Sequence, residues 1–185
     1  MLKSNHPLEE SIQNITYKGI TFEIIKRPDV LWVGCVDYAS NNVDESDIAA
    51  TLNRYRKELI DVAKQDLIHP DWSAALSINY GCEEQPNGLM FAQETYSDKQ
   101  DKRYDLLTQP SGLWLRICCD KEANTAFFGE ENTEIWCYFA DQILQKAAEE
   151  NGYKENPDVY IQLEYHCHAD HGIDSYAYIP IIEIN

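Results

Sequence analysis

Basic residues are scarce in this sequence. Its 185 residues include 15 Lys and Arg against 32 Asp and Glu, which gives a formal net charge of −17. Proteins bind nucleic acids and anionic lipid surfaces through clustered Lys and Arg side chains, because these neutralise phosphate charge. The composition therefore argues against direct binding to nucleic acid or to a membrane, and it leaves cationic or neutral partners open.

Long apolar runs are absent as well. Residues 1–20 lack the apolar core of a secretory leader, and no stretch approaches the roughly 20 apolar residues of a membrane-spanning helix. The six cysteines form no Cys-x-x-Cys pair, which excludes a zinc ribbon. We therefore expect a cytoplasmic protein with reduced and mostly buried thiols.

Familiar catalytic motifs are missing too. The sequence contains no Gly-x-Ser-x-Gly, Gly-x-Gly-x-x-Gly, Walker loop or His-Glu-x-x-His pattern. It does contain 44 % apolar and 11 % aromatic residues, which excludes a disordered chain and suffices for a core. One domain is expected at this length.

An internal repeat is the most informative feature that is present. The segment 22–33 aligns with the segment 104–115, and in this alignment Trp32 falls on Trp114. Further along the chain, the segment 78–82 aligns with the segment 163–167. Because the matches recur in the same order on both sides of a helical stretch, they indicate duplication.

The duplication sets the predicted domain organisation. Residues 1–20 form an N-terminal extension, and residues 21–185 form one domain built from the repeats 21–97 and 103–185.

Each repeat is predicted to contain two strands, a helix and two further strands. Alternating apolar residues predict strands over residues 21–26, 31–38, 74–81, 89–96, 103–108, 113–119, 160–166 and 175–184. Apolar residues at intervals of three or four predict one helix within residues 48–63 and another within 135–147, stopped by Gly152. The predicted fold is α+β: two pseudo-symmetric ββαββ repeats each form one antiparallel sheet, the two sheets enclose a central cleft, and the helices pack on the outer faces.

Glu164 is the first candidate for a ligand-binding residue. It lies in a predicted strand that is otherwise rich in Ile, Leu and Tyr, and Asn79 is its equivalent in the first repeat. If the larger apolar face of this strand packs on the helix, Glu164 points into the cleft, where lost hydration makes a carboxylate require a proton or a cation. The alternatives are an ordinary ion pair with a nearby Lys or Arg and a position on a solvated face of the sheet.

Aromatic residues supply the predicted walls of the cleft. Trp32 and Trp114 are equivalent, Tyr176 and Tyr178 share one face of the last strand, and Trp136 lies in the second helix. An aromatic ring that faces a cation contributes about 0.5–2 kcal/mol. A carboxylate among such rings suits a planar or lipophilic cation, although core packing is the commoner role of any single ring.

A short stretch of metal-ligating residue types follows Glu164. It contains His166, Cys167, His168 and His171. Imidazoles and a thiol can hold a transition metal, but this spacing matches no standard metal motif and no second ligand cluster complements it. We expect a solvated loop, and we predict no cofactor.

The order of these motifs resembles the GyrI-like small-molecule-binding family, also called the AraC-type effector-binding domain. The resemblance covers about residues 20–185 and rests on Pro110–Leu115, on the helix that bears Trp136 and ends in Asn151–Tyr153, on Leu163–Tyr165, and on Tyr178–Ile181. It implies a two-sheet fold with a central groove, in which the glutamate matching Glu164 faces lipophilic cations among aromatic rings. Many relatives carry a DNA-binding domain before this module. Here only about 20 residues precede it, so we expect a stand-alone module.

The leading functional hypothesis is a small-molecule-binding protein of the effector-binding or multidrug-sensor type. Its ligand is expected to be lipophilic, aromatic or cationic, with Glu164 as the charge partner and Asn79 as a neutral hydrogen-bonding group. Two alternatives stay open. One is a small-molecule hydrolase that uses Glu164 as base or nucleophile and Tyr178 or Tyr165 as proton donor. The other is an acidic protein partner that occupies the basic site of a nucleic-acid enzyme such as DNA gyrase.

Overall fold

Ten strands and two helices make up the part of the chain that the structure describes. The computed structural model describes residues 8–38, 66–68, 72–79, 82, 84–129, 136–169 and 172–184, without the side chains of 136–141, 163–169 and 172–174. The elements are β1 (Glu10–Tyr17), β2 (Ile20–Arg27), β3 (Val30–Tyr38), β4 (Trp72–Ile78), β5 (Gly88–Thr95), β6 (Asp105–Gln109), β7 (Gly112–Cys118), α1 (Lys121–Phe128), α2 (Trp136–Glu150), β8 (Tyr153–Glu155), β9 (Ile161–Ala169) and β10 (Gly172–Glu183).

The strands form two curled antiparallel sheets of five strands each, which confirms the predicted α+β class. The first sheet has the order β1-β2-β7-β10, with β8 paired to the end of β10. The second sheet has the order β9-β4-β5-β3-β6. The hydrogen-bonded ladder continues from one sheet to the other where β9 pairs with β10.

Each sheet contains strands from both predicted repeats, whereas we expected each repeat to form its own sheet. β2 pairs with β7 in the first sheet, and β3, only two residues further along the chain, pairs with β6 in the second. A two-residue hairpin needs residues with positive φ, and Pro28 at this link has its φ fixed near −65°. The chain passes from one sheet to the other at Pro28, and it does so again at Pro110 between β6 and β7.

The two crossing points touch each other. The backbone N–H of Ser111 donates to Oδ1 of Asp29 at 2.6 Å. Let β2, β3, β4 and β5 correspond to β6, β7, β9 and β10, respectively. These eight strands lie in the order β2-β7-β10-β9-β4-β5-β3-β6. If this order is reversed and each strand is replaced by its counterpart, the same order results. The sequence repeat itself stays a prediction.

Alternate side chains along a strand lie on opposite faces of the sheet and pack in two different cores. On β10, Ala177 and Ile179 pack in a cluster that faces the helices and includes Leu144 of α2. The neighbouring Tyr176 and Tyr178 face the opposite way, into a cluster we call the interior. The buried members of the interior come from both sheets and are Ile25, Val30, Trp32, Ala74, Leu76, Ile78, Met90, Ala92, Trp114, Ile161, Tyr176 and Tyr178.

The helices differ in how well they were predicted. α2 confirms the second predicted helix, and Gly152 after it adopts a φ of 84°. α1 was not predicted; its first turn is capped by Asp120, whose Oδ1 accepts from the N–H of Ala123 at 2.9 Å. The helix predicted within residues 48–63 lies outside the described residues.

All eight predicted strands are confirmed, and the structure adds two more. β1 lies within the segment we assigned as an extension and pairs with β2 along its length. β8 has only three residues. In the described part of the chain, we find no helix with both the length and the apolar character needed to cross a bilayer.

Candidate functional site

A fully buried arginine contacts the aromatic rings of the interior. Arg27, the last residue of β2, has a side chain that is 0 % exposed. Its Nη2 donates to Oε1 of Glu94 on β5, whose side chain is 2 % exposed. Its Nε lies 3.6 Å from Oε1 of Glu9, just before β1. Two carboxylates thus compensate a charge that would otherwise be very costly to bury.

A second arginine shares one of these carboxylates. Arg116 on β7 is 7 % exposed, and its Nη1 donates to Oε2 of Glu9. Its Nε donates to Oε2 of Glu23 at 2.7 Å, since Glu23 lies directly opposite on β2. Glu9 therefore bridges Arg27 and Arg116 with its two carboxylate oxygens.

Aromatic rings face both guanidinium groups. Cζ of Arg27 lies 6.0 Å from the ring centroid of Trp114 and 5.6 Å from that of Tyr178. Cζ of Arg116 lies 5.6 Å from the ring centroid of Tyr176. These distances are within the range of cation–π attraction, so the interior holds planar cations that belong to the protein itself.

A glutamine connects this cluster to the second sheet. Oε1 of Gln109, at the end of β6, accepts from the indole Nε1 of Trp32 at 3.1 Å and from Nη1 of Arg27 at 3.4 Å. Gln109 is 0 % exposed. The contact is part of a continuous polar network between the sheets.

The cluster is buried and charged. Among the side chains that the structure describes, its ion pairs join three carboxylates to two guanidiniums. Burial, reinforced by the Glu9 carboxylate, raises the pKa of Tyr178 well above its ordinary value, although Arg116 and Arg27 oppose the shift. Burial disfavours the charge on Arg116, but the interactions with Tyr178, Glu9 and Glu23 outweigh it and raise the pKa of Arg116. The phenol is therefore neutral and the guanidinium charged at ordinary pH.

The structure brings four of the predicted site residues together. Trp32, Trp114, Tyr176 and Tyr178 are all buried in the interior and touch the arginine cluster or its neighbours. Asn79 lies elsewhere: it follows β4 with a φ of 57°, and its Nδ2 donates to the carbonyl of Pro86 at 3.1 Å. That contact holds a turn at the end of the strand.

Glu164 and Trp136 are described by their backbones only. Trp136 is the first residue of α2. Glu164 lies on β9 between its register partners, Ala75 on β4 and Ala177 on β10. Its place is thus at the junction of the two sheets, and its role as a charge partner stays a prediction.

The side chains of the histidine stretch are not among those that the structure describes. His166 and His168 belong to β9, with side chains that are not described, and His171 lies outside the described residues. The described part of the chain contains no group of three metal-ligating side chains. Four cysteines, Cys35, Cys82, Cys118 and Cys119, are free thiols.

The charged residues of the candidate site were not predicted from the sequence. Arg27, Arg116, Glu9 and Glu94 were not selected, because charged residues are normally solvated. Alternation in β2 carried a signal: Arg27 shares a strand face with Ile25, a residue of the interior. Glu9 gave no such signal, since it precedes the first strand.

The two curled sheets and the two helices of the described residues form an α+β fold that is consistent with the GyrI-like fold implied by the sequence resemblance. Solved structures share this fold at low sequence identity. SAV2435 bound to tetraphenylphosphonium is similar with a TM-score of 0.63 and 12 % identity, over 87 % of this chain and 93 % of that one.

Two further solved structures are similar to this chain in fold. A putative bacterial transcription regulation protein from Staphylococcus aureus MU50 has a TM-score of 0.57 and 15 % identity, over 88 % of this chain and 99 % of that one. The EcmrR C-terminal domain has a TM-score of 0.55 and 11 % identity, over 88 % and 98 % of the two chains. No family model matches the chain, and no curated protein sequence matches it.

Proposed function

We propose that this chain is a small-molecule-binding protein whose ligand enters the interior between the two sheets. The observation that carries the proposal is the guanidinium of Arg27 among the rings of Trp114 and Tyr178, with Glu9 and Glu94 as its counter-ions. This arrangement is the chemistry that a planar or lipophilic cation requires. A similar fold bound to tetraphenylphosphonium supports the choice of ligand class.

In this proposal Arg27 is an internal competitor of the ligand. A foreign cation reaches the two carboxylates and the two rings only when the guanidinium leaves them. Truncation of Arg27 leaves Glu9 and Glu94 facing the rings without that charge, and an added cation restores the balance. The wild type should therefore bind a cation more weakly than the same rings and carboxylates would bind it without Arg27.

The test is a titration with tetraphenylphosphonium followed by tryptophan fluorescence, because Trp32 and Trp114 both lie in the interior. We expect saturable quenching in the wild type and binding about tenfold tighter or more in Arg27→Ala, the size of one charge-assisted contact. Lys26→Ala is the matched control, since this neighbour is exposed and its loss changes the net charge equally.

Neutral triphenylphosphine oxide is an uncharged aromatic probe, and it shows how much of the change in affinity depends on the charge of the ligand. Its affinity should be the same in the wild type and in Arg27→Ala. Absence of saturable binding of both probes to every variant would refute the proposal, and equal gains for both probes would refute its cationic part.

Glu164 is proposed as a further counter-ion for the ligand. Glu164→Gln should weaken binding of tetraphenylphosphonium while leaving triphenylphosphine oxide unaffected. Undiminished affinity for the cation would remove Glu164 from the site. A cytoplasmic location is also proposed, on the basis of the free thiols.

A further inference from the structure

The side-chain amide of Gln109 is only half satisfied by the described residues. Its Oε1 accepts from Nε1 of Trp32 and from Nη1 of Arg27, at 3.1 and 3.4 Å. Indole and guanidinium nitrogens only donate, so the oxygen is the amide atom that faces them. The other amide atom, Nε2, is buried and finds no hydrogen-bond acceptor among the described residues.

The backbone places Gln109 on the interior side of the second sheet. Gln109 is the last residue of β6 and lies directly opposite Val30 of β3. Opposed residues of paired strands project from the same face of a sheet, and Val30 belongs to the interior cluster. Leu107, two residues earlier on β6, packs against the same cluster. Gln109 is therefore a neutral polar residue beside apolar side chains.

An amide N–H without an acceptor is costly in such a place. Buried polar groups in folded proteins are nearly always hydrogen-bonded, and a buried donor without a partner keeps the full cost of its lost hydration. An acceptor that comes from outside the protein removes that cost. A neutral oxygen, such as that of an ether or a carbonyl group, does so without adding a further charge to a buried site.

We infer that Gln109 is a ligand-binding residue of the interior and that its Nε2 donates to a neutral acceptor oxygen of the ligand. This narrows the ligand to an aromatic or lipophilic molecule that carries an ether, carbonyl or similar oxygen. Because Oε1 of the same amide contacts Trp32 and Arg27, the ligand oxygen lies close to these two side chains. The inference rests on the proposed function, since the ligand must enter the interior.

The experiment compares two phosphonium cations of equal charge and similar size. The ether oxygen of (2-methoxyethyl)triphenylphosphonium takes the place of a methylene group in n-butyltriphenylphosphonium. Any displacement of Arg27 is common to both probes, so the ratio of their affinities depends on the oxygen. Both are titrated by tryptophan fluorescence against the full-length wild type and Gln109→Glu, in a mildly alkaline buffer that keeps the new carboxyl ionised. This variant keeps an acceptor oxygen for Trp32 and Arg27 and removes the N–H donors.

The methoxyethyl probe should lose affinity for Gln109→Glu relative to the butyl probe. We expect the ratio of the two affinities to fall about fivefold or more from its wild-type value, which corresponds to one hydrogen bond. A purely structural role of Gln109 would change the affinities of both probes equally. Gln13→Glu is the matched control, because it makes the same chemical change at an exposed residue of β1 and should leave the ratio unchanged.

The outcomes separate this inference from the proposed function. An unchanged ratio in Gln109→Glu would overturn the inference and leave the proposed function intact, since both probes would still bind. An equal fall in Gln13→Glu would also overturn it, because the effect would then come from charge alone. Absence of saturable binding of both probes to the wild type would refute the proposed function and the inference with it. If circular dichroism shows that Gln109→Glu does not fold, Gln109→Met takes its place. Its side chain has a similar length and no N–H donor, and the same fall in the ratio is expected.

Discussion

The indole of Trp32 and the guanidinium of Arg27 share one acceptor, Oε1 of Gln109, at 3.1 and 3.4 Å. Trp32 belongs to the second sheet and Arg27 to the first. This buried amide thus joins the two sheets at the level of the candidate site, beside the Arg27–Glu94 ion pair, and its loss affects two donors together.

Replacement of Gln109 by Leu should lower the free energy of unfolding by about 1–3 kcal/mol, because buried donors lose their acceptor. Urea unfolding measures the change. Leu106→Gln on the same strand is the control, since Leu106 is 42 % exposed and should shift stability by about 0.5 kcal/mol or less. Equal effects of the two substitutions would contradict the coupling.

Gly34 on β3 should tolerate no side chain. A Cβ at this residue would lie 2.1 Å from the carbonyl oxygen of Phe91 and 2.7 Å from Cβ of Ala92, and the backbone oxygen cannot rotate away. Gly34→Ala should therefore cost about 1–3 kcal/mol or more. Gly112→Ala on β7 is the matched control, because a Cβ there meets nothing within 4 Å. The melting temperatures of the two variants are compared by thermal unfolding. Similar melting temperatures would refute the predicted clash.

Tyr178 should make the protein sensitive to alkali. Its folded pKa is raised by burial, so its contribution to stability is complete below the unfolded pKa of about 10 and is lost as pH rises towards the folded pKa. Above pH of about 10, this group alone should lower the free energy of unfolding by about 1.4 kcal/mol per pH unit. Tyr178→Phe should flatten that part of the stability profile in urea unfolding. An unchanged slope would show that Tyr178 ionises normally.

The strands were predictable because their pattern is simple. On β10, Tyr176 and Tyr178 alternate with Ala177 and Ile179, and each set has its own core. β1 escaped prediction because its first five residues are exposed and largely polar. Its place depends on pairing with β2, which no local pattern encodes.

The exchange of strands between sheets was not predictable from alternation. Pro28 and Pro110 marked the links correctly, but a proline link fits either a turn within one sheet or a passage to another. The contact between Ser111 and Asp29 that joins the two links spans 82 positions of sequence. Only the assembled fold distinguishes the two arrangements.

The aromatic residues of the candidate site were selected from the sequence, and its charged residues were not. Trp32 and Trp114 were selected because large rings favour buried, cation-binding or core positions. Arg27 was not, because an arginine in a strand is ordinarily solvated, and its burial depends on partners contributed by Glu9 and Glu94 from distant parts of the chain. Such compensation is a property of the folded state.

The passage of the chain between sheets at Pro28 and Pro110 has a consequence for folding. Neither predicted repeat has a sheet of its own, since β2 pairs with β7 and β3 pairs with β6. Because the two halves of the chain share both sheets, we expect them to unfold together in one cooperative transition. Every such pairing must wait for closure of a long loop, so the protein should fold slowly, like β-rich proteins dominated by non-local contacts.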